Sequence, residues 1–180
     1  ATDSGPCSAM MAASRSLTRL LESDPDALDA LAHLDRRAPV DDLTPEHLVR
    51  WKQHELLRIA ARDLTGLDPL EGIGRALATL AADVLDGACR IAGTDGLAVI
   101  GMGKLGGDEL NYSSDVDVVF VGDGPREPLT RQARAVLEIA RRCFRVDANL
   151  RPEGRDGPLV RTLDSYEAYW DRWAQPWEFQ

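Results

Sequence analysis

The chain has 180 residues, 44% of them hydrophobic and 28% charged, a composition that fits a globular protein and excludes a disordered or fibrous one. With 21 Lys and Arg against 30 Asp and Glu, the formal net charge is −9, which argues against a nucleic-acid partner because phosphate contacts need a basic face. No apolar run approaches the roughly 18 residues of a membrane span, and the N-terminus lacks the pattern of a signal peptide. The widely spaced Cys7, Cys89 and Cys143 fit a reducing cytoplasm better than a disulfide framework.

Residues 1–93 are predicted to be a helical region, rich in Ala, Leu and Arg. Two long helices are expected, at 45–63 and 69–93, because each begins with a capping residue followed by proline and continues with apolar residues at helical spacing. Shorter helices are expected at 16–21 and 26–34. The first eight residues are expected to be frayed.

The sequence pattern changes at Leu97, where short β-branched and apolar runs replace the helical periodicity. Strands are expected at three places: 97–101, 115–121 and 144–150. Helices are expected at 128–142 and 163–174, with a turn-rich loop at 152–158. The fold class is therefore α+β, a helical region at 1–93 packed against a small mixed sheet in 94–180. Because the chain ends at WEFQ, where a helix could continue, we expect a fragment whose second region is truncated at its C-terminus.

A glycine-rich loop follows the first predicted strand directly. The residues Gly101-Met-Gly103-Lys-Leu-Gly106 match GxGxxG, the pattern of a dinucleotide-binding turn. The context argues against that function, because Asp115 opens the next strand only nine residues after Gly106 and leaves no room for the full helix of a Rossmann unit. The Walker pattern fails too, since no GK[ST] ends the loop. Taken alone, the loop could be an ordinary tight turn.

Three aspartates accompany the loop. Asp115 and Asp117 lie two apart at the start of a strand, so both carboxylates point to one face, and a divalent cation is the usual compensation for such a pair. Asp147 lies on the polar face of the 144–150 strand, with Arg145 and Asn149. The alternatives are a solvated strand end for the first pair and a salt bridge between Asp147 and Arg145 for the third acid.

Taken together, a glycine loop, a DxD strand and a third aspartate on a later strand resemble the polymerase-β-like nucleotidyltransferase fold. In that pattern three carboxylates hold two Mg²⁺ ions that bridge nucleotide phosphates, while loop amides cradle those phosphates. The resemblance therefore implies Mg²⁺ as cofactor and a nucleotide, ATP or ADP, as substrate or product.

Longer stretches of sequence resemble one family within that fold. GMGKLGGDELNYSSDVDVVFV, RVDANLRPEGRDGPLV and the helical lead-in HELLRIAARDLTGLDPL are similar to the bifunctional glutamine synthetase adenylyltransferase/adenylyl-removing enzymes, over about residues 45–180. That family has two homologous nucleotidyltransferase domains. The N-terminal one removes AMP from a glutamine synthetase tyrosine by phosphorolysis, giving ADP, and the C-terminal one attaches AMP from ATP. The forms ELNYSSD and RPEGRDGPL are more similar to the N-terminal, adenylyl-removing copy.

The resemblance implies roles for particular residues. Asp115, Asp117 and Asp147 match the catalytic, metal-binding acids. The residues matched to phosphate or nucleotide binding are Gly103, Lys104, Gly106, Gly107, Ser113, Ser114 and Arg151. Lys104 could equally be a solvated loop lysine, the two serines could instead cap a turn, and Arg151 could pair with an acid. The family often has a second arginine where this chain has Asn149.

The family also implies a cytoplasmic regulator of nitrogen assimilation, with glutamine synthetase as partner and a PII-type signal protein acting through the full-length enzyme. Three alternatives stay open: the adenylylating copy, a nucleotidyltransferase with another acceptor, and an inactive regulatory module that keeps the fold. The retained acids Asp115, Asp117 and Asp147 count against the inactive module. His33, His47 and His54 lie on predicted helices without acid–base partners among them, so no catalytic role is assigned to them.

Overall fold

A computed structural model describes residues 6–40 and 44–174 of the chain. Its helices, in chain order, are α1 (Pro6–Ala13), α2 (Arg15–Ser23), α3 (Ala27–Ala32), α4 (Pro45–Leu64), α5 (Leu70–Ala92), α6 (Gly103–Gly106), α7 (Arg126–Ala140) and α8 (Leu163–Arg172). Its strands are β1 (Leu97–Gly101), β2 (Val116–Gly122), β3 (Val146–Asp147) and β4 (Val160–Arg161). The predicted α+β class with a small mixed sheet is therefore confirmed. None of the described helices is long and apolar enough to cross a membrane.

The two long helices, α4 and α5, form where their end signals predict. At the start of α4 the Thr44 side chain accepts a hydrogen bond from the amide of His47 (3.2 Å), and Pro45 occupies the first turn. Helix α5 ends at Gly93, whose φ of 62° is the left-handed conformation that glycine adopts without strain. The expectation of frayed first residues is wrong for residues 6–8, which begin α1, while residues 1–5 lie outside the described ranges.

The sheet is organised around β2. Strand β1 pairs with it antiparallel, from Leu97 opposite Gly122 to Gly101 opposite Val118. Strands β3 and β4 pair with it parallel, one after the other along its second edge. The strands predicted at 97–101 and 115–121 are thus confirmed, with the second beginning at Val116.

The predicted strand at 144–150 is wrong in extent, because only Val146–Asp147 pairs with β2. The register explains the early end. Val116 is opposite Val146, so a longer strand would bring residue 150 opposite Phe120, where Val160 of β4 already pairs. The chain therefore leaves the sheet after Asp147 and forms a 3₁₀ turn at Gly154–Asp156 within the predicted loop, before it returns as β4. Leu150, the last residue of the predicted strand, is exposed.

Helix α5 joins the helical region to the sheet. Its buried face contributes Leu77 and Leu80 to the cluster that also contains Val118 and Phe120 of β2 and Val136 of α7. A smaller cluster gathers Met10, Ala27, Leu57, Ala60 and Ala61, so it ties the first helices to the outer side of α4. The described part of the sheet is thus backed by α5 and α7, and its polar residues at the start of β2 lie at the rim of that core.

Candidate active site

Asp117 and Asp147 are paired residues of the neighbouring parallel strands β2 and β3. Directly opposed residues of adjacent strands project to the same face of a sheet, so the two half-buried carboxylates lie side by side. Asp115 precedes the first residue of β2 and, two positions from Asp117, has the same phase. The register therefore brings Asp117 and Asp147 to one face of the sheet, and the metal-binding role of the three acids stays a prediction.

The electrostatics of Asp117 reflect that placement. Burial is the largest cause that raises the pKa of the Asp117 carboxyl above its usual range, and the carboxylates of Asp147 and Asp115 raise it further. The ammonium group of Lys104 acts in the opposite direction. The ionised form of Asp117 is therefore destabilised by its neighbours, and Lys104, on the glycine turn, lies close enough to offset part of that repulsion.

Asp115 is neutralised by a different residue, Arg145. The Nε atom of Arg145 lies 2.6 Å from Asp115 Oδ1, and the same guanidinium donates to the carbonyl of Ser113 at 2.9 Å. The salt bridge that the sequence suggested between Arg145 and Asp147 is therefore replaced by one to Asp115. Within residues 6–40 and 44–174, no three His, Cys, Asp or Glu side chains are gathered as a ready metal cage.

Asp147 is held by its own loop. Its Oδ1 accepts the amide of Asn149 at 2.8 Å, a turn-type bond that fixes the carboxylate where β3 ends. At the position where the family often has arginine, Asn149 thus contacts Asp147 through its backbone amide.

The glycine loop forms a single helical turn, α6, that lies against Asp117. The amide of Met102 donates to the Asp117 carbonyl at 2.9 Å, which fixes the start of the turn on β2. Gly103 has a φ of +52°, and a Cβ atom there would lie 3.1 Å from Asp117 Oδ2. At Gly106 a Cβ would lie 2.7 Å from the Gly101 carbonyl oxygen, closer than real Cβ atoms come. Glycine is required because the turn packs directly on the strand end and on the carboxylate.

The other loop residues predicted to bind phosphate differ in their present contacts. The amides of Gly106 and Gly107 donate within the turn, to the carbonyls of Met102 (3.1 Å) and Gly103 (3.0 Å). Gly103 and Lys104, at the start of the turn, are exposed, and amides at a helix start have no acceptor within the helix. The structure thus places the beginning of the turn, rather than its end, in the better position to meet an anion.

The serines before the acids form a turn of their own. The Ser114 hydroxyl accepts the amide of Asn111 at 3.2 Å, and the Asn111 side chain accepts the amide of Ser113 at 2.9 Å. Tyr112 anchors this loop to α4 through a hydrogen bond from its hydroxyl to Asp63 Oδ2 (2.9 Å). Ser114 therefore has the capping contact that the sequence left open, and the loop is held so that Asp115 enters β2 in a fixed orientation.

Arg151 is used within the loop that connects β3 to β4. Its guanidinium donates to the carbonyls of Ala148 (2.5 Å), Arg155 (3.1 Å) and Gly157 (3.2 Å). It also lies 3.4 Å from the Asn149 side-chain oxygen. These bonds stabilise the loop rather than an acid, so phosphate binding by Arg151 stays a prediction that would require the side chain to leave its present partners.

Arg145 is the residue that the sequence left without a functional role. It shares the alternation of Asp147, and its backbone carbonyl accepts the amide of Val116 at 2.8 Å, which sets its side chain beside Asp115. The sequence did contain a signal for this residue, because Arg145 precedes Asp147 by two positions on the polar face of the predicted strand. That signal did not identify which of the three acids the arginine would contact.

The donor set fits a hard divalent cation by its chemistry. Asp117 and Asp147, paired on β2 and β3, and Asp115, which directly precedes β2, would supply oxygen ligands; burial, then Asp147 and Asp115, raise the pKa of Asp117. The contact between Asp115 and Arg145 would have to be exchanged for such an ion. The chemistry that this arrangement suits is transfer of a phosphate-bearing group.

Comparison with known proteins identifies the chain. Residues 37–180 match the family described as glutamate-ammonia ligase adenylyltransferase. The chain is 50% identical, over 147 aligned positions, to the bifunctional glutamine synthetase adenylyltransferase/adenylyl-removing enzyme of Streptomyces avermitilis, which covers 69% of this chain and 15% of that protein. It is 41% identical over 190 aligned positions to the protein of the same name from Mycobacterium tuberculosis strain H37Rv, covering 90% of this chain and 19% of that protein.

The family description and the names of these relatives are those of adenylyltransferases. The chain belongs to the glutamate-ammonia ligase adenylyltransferase family, which confirms the resemblance seen in its sequence. It spans 15–19% of the length of the relatives compared here.

Proposed function

We propose that this chain carries a polymerase-β-like nucleotidyltransferase site that removes AMP from an adenylylated tyrosine of glutamine synthetase by phosphorolysis, releasing ADP. Two facts support the proposal: the chain's membership of the family, and the name of its relatives, which includes an adenylyl-removing activity. The forms ELNYSSD and RPEGRDGPL favour the removing copy over the attaching copy.

The observation that carries the proposal is the pairing of Asp117 with Asp147 beneath the glycine turn. Two opposed carboxylates, a third acid two residues away and a turn whose glycine lies against one of the carboxylates are difficult to explain by stability alone. A site that must gather positive charge around phosphate oxygens needs this combination.

In the proposed reaction an oxygen of inorganic phosphate attacks the phosphorus of the AMP group. A new P–O bond forms and gives ADP, while the P–O bond to tyrosine breaks and its electron pair leaves with the phenolate, which then takes up a proton. Such a transfer needs in-line placement and neutralised oxygens more than covalent help. Mg²⁺ bound by Asp115, Asp117 and Asp147 would supply the neutralising charge.

The chain's own residues then have distinct tasks. The backbone at Gly103 and the Lys104 ammonium, at the start of the turn, orient the phosphate groups, while Gly106 and Gly107 keep the turn tight against β2. Ser113 and Ser114 shape the loop that delivers Asp115. Because the Asn149 amide bonds Asp147 Oδ1, Oδ2 would be the oxygen of that carboxylate that binds the cation.

The proposal extends to the partners and setting that the family implies. Glutamine synthetase is the substrate protein, a PII-type signal protein acts through the full-length enzyme, and the enzyme works in the cytoplasm with ATP or ADP and without nucleic acid or membrane. The net charge of −9 is consistent with a protein partner rather than a nucleic acid.

The test uses the intact protein, adenylylated glutamine synthetase, inorganic phosphate and Mg²⁺, with released ADP as the readout. We expect Asp117→Asn and Asp147→Asn to lower ADP release at least about 100-fold, because each keeps shape and removes charge from the phosphate-binding face. The matched control is Asp123→Asn, an exposed aspartate just after β2, which should retain activity.

Attachment of AMP to unmodified glutamine synthetase from ATP is measured on the same variants. Loss of removal with attachment retained would support the proposal. Loss of attachment with removal retained would assign this chain to the adenylylating copy. If neither reaction changed, glutamine synthetase would not be the acceptor for this site, and a nucleotidyltransferase with another acceptor would replace the proposal.

A further inference from the structure

We infer that Arg145 is an exchangeable counter-ion of Asp115, which neutralises that carboxylate when no divalent cation is bound and must release it when a cation binds. The inference rests on the proposed function, because that function places a divalent cation on Asp115, Asp117 and Asp147. It assigns to this chain a positioning residue that the sequence motifs do not include.

The contact between the two side chains is close but solvent-exposed. Arg145 Nε lies 2.6 Å from Asp115 Oδ1, yet the Arg145 side chain is 75% exposed and that of Asp115 is 47% exposed. Exposed ion pairs contribute little net stability, so such a contact can be exchanged for a stronger ligand. The Arg145 guanidinium also donates to one backbone carbonyl, that of Ser113 at 2.9 Å, whereas the Arg151 guanidinium is committed to three carbonyls of its loop.

The backbone of Arg145 is held by a bond that does not involve its side chain. Its carbonyl oxygen accepts the Val116 amide at 2.8 Å, which anchors the residue on β2 without help from the guanidinium. The side chain borders a cavity of about 310 Å³ that is also lined by Lys52, Ser113 and Phe144. The guanidinium therefore has space to move away from Asp115 without displacing packed residues.

Competition follows from the charges. The guanidinium 2.6 Å from Asp115 Oδ1 competes with a cation for that oxygen, and its positive charge opposes a divalent ion a few ångströms away. A released Arg145 keeps its planar fork, which suits the oxygens of a phosphate group. Residues 145–147 would thus supply two parts of the site. Asp147 is one of its acids, and Arg145 is the cation that pairs with Asp115 before a metal ion binds.

The test measures Mn²⁺ binding to the intact protein, without nucleotide or phosphate, by calorimetry or by the electron paramagnetic resonance signal of free Mn²⁺. The Mn²⁺ binding that is lost in Asp117→Asn is the binding that belongs to this site. We expect Arg145→Gln to bind Mn²⁺ about 3- to 10-fold more tightly than the wild type, because a competitor and a like charge are removed. Arg145→Lys keeps the positive charge without the planar guanidinium. Its Mn²⁺ affinity should lie between those of the wild type and Arg145→Gln.

The matched control is Arg142→Gln, which removes the same charge three residues earlier. Arg142 pairs with Glu46 at 2.8 Å, so its loss should leave Mn²⁺ affinity within about 2-fold of the wild type. Thermal melting of each variant checks folding, and a purely structural role of Arg145 would lower the melting temperature without tightening Mn²⁺ binding.

The possible outcomes separate the two ideas. If Asp117→Asn removes Mn²⁺ binding but Arg145→Gln leaves it unchanged or weaker, the exchange is overturned while the proposed cation site stands. If Asp117→Asn has no effect on Mn²⁺ binding, the cation site itself is overturned, and the exchange with it. Tighter binding in Arg145→Gln together with an unchanged Arg142→Gln supports the exchange.

Discussion

Asp117 of β2 and Asp147 of β3 lie directly opposite each other on adjacent parallel strands. Like charges in that relationship destabilise a sheet unless something compensates. Lys104 lowers the pKa of Asp117, but burial, Asp147 and Asp115 together raise it. The pair is therefore a local cost to folding, and such costs are typical of sites that are built for a ligand.

We predict that Asp117→Asn stabilises the cation-free fold while it removes activity. A folded-state pKa above the unfolded value means that ionised Asp117 lowers stability at neutral pH, by about 0.5–1 kcal/mol for a partly solvated like-charge site. The higher unfolding free energy of the variant should be present near pH 7. This difference from the wild type should shrink as the pH falls through the native pKa of Asp117, where the wild-type carboxylate takes up a proton. Urea unfolding of both proteins in a chelator, from pH 7 downwards, measures it.

The control for that stability effect is Asp123→Asn, which removes an exposed carboxylate just beyond β2. Its unfolding free energy should stay within about 0.5 kcal/mol of the wild type. A loss of stability in Asp117→Asn at neutral pH would contradict the view that the three carboxylates repel one another in the absence of a cation.

Gly103→Ala should impair both the fold and the reaction. Its φ of +52° makes any side chain strained, and the added Cβ would lie 3.1 Å from Asp117 Oδ2. Gly66 offers a matched comparison, because its φ is +68° and a Cβ there meets nothing within 4 Å. Both substitutions should cost about 1–2 kcal/mol of backbone strain.

Only the first of these glycine substitutions should lower ADP release beyond its effect on stability. The activity of each variant is compared at a temperature at which both remain folded by circular dichroism. Equal activity of Gly103→Ala and Gly66→Ala would show that the turn does not position Asp117 for the reaction.

A buried ion network in the helical region supplies a second stability prediction. Glu55 is only 5% exposed, and its carboxylate accepts two bonds from Arg58, at 2.9 and 2.7 Å, and lies 3.1 Å from Arg37. We expect Glu55→Gln to lower the free energy of unfolding by about 3 kcal/mol, because Arg58 loses its carboxylate partner and Arg37 keeps only Asp83. Glu46→Gln, which breaks an exposed pair with Arg142, should leave the free energy of unfolding close to that of the wild type. Similar losses of unfolding free energy in Glu55→Gln and Glu46→Gln would contradict a special role for the buried network.

Sequence patterns predicted the elements whose signals are local. Thr44 and Pro45 mark the start of α4, Gly93 marks the end of α5, and the run of β-branched residues marks β2, because caps and periodicity act over a few residues. The phase of Asp115 and Asp117 followed from the same local geometry. These features required no knowledge of what packs against them.

Features decided by distant partners were not predictable in the same way. Strand β3 cannot extend to residue 150 because Val160, thirteen residues after Asp147, pairs with Phe120, and a two-residue strand leaves no pattern in the sequence. Arg145 reaches Asp115 rather than Asp147 because its backbone is bonded to Val116. Which acid an arginine meets depends on strand pairing, and alternation alone cannot determine it.

Asp24 should make the stability of the helical region depend on pH. Hydrogen bonds from Arg50 are the largest cause that holds the pKa of the Asp24 carboxyl well below its usual range, and His54, whose Nε2 lies 2.7 Å from Asp24 Oδ2, adds to them. A depressed native pKa gives stability that is fully present above the unfolded pKa and is lost as the pH falls towards the native value, so the loss begins below about pH 4.

Asp24→Asn should therefore be less stable than the wild type by about 1–2 kcal/mol at pH 7, and the difference should narrow below about pH 4. The comparison variant is Asp26→Asn, because Asp26 also contacts Arg50 at 2.8 Å but is 74% exposed, against 13% for Asp24. That exposure screens the contact, so its loss should cost less than about 0.5 kcal/mol. Urea unfolding followed by circular dichroism at several pH values measures all three proteins. A constant difference between wild type and Asp24→Asn from pH 7 to the acid limit would show that Asp24 acts through packing and not through its charge.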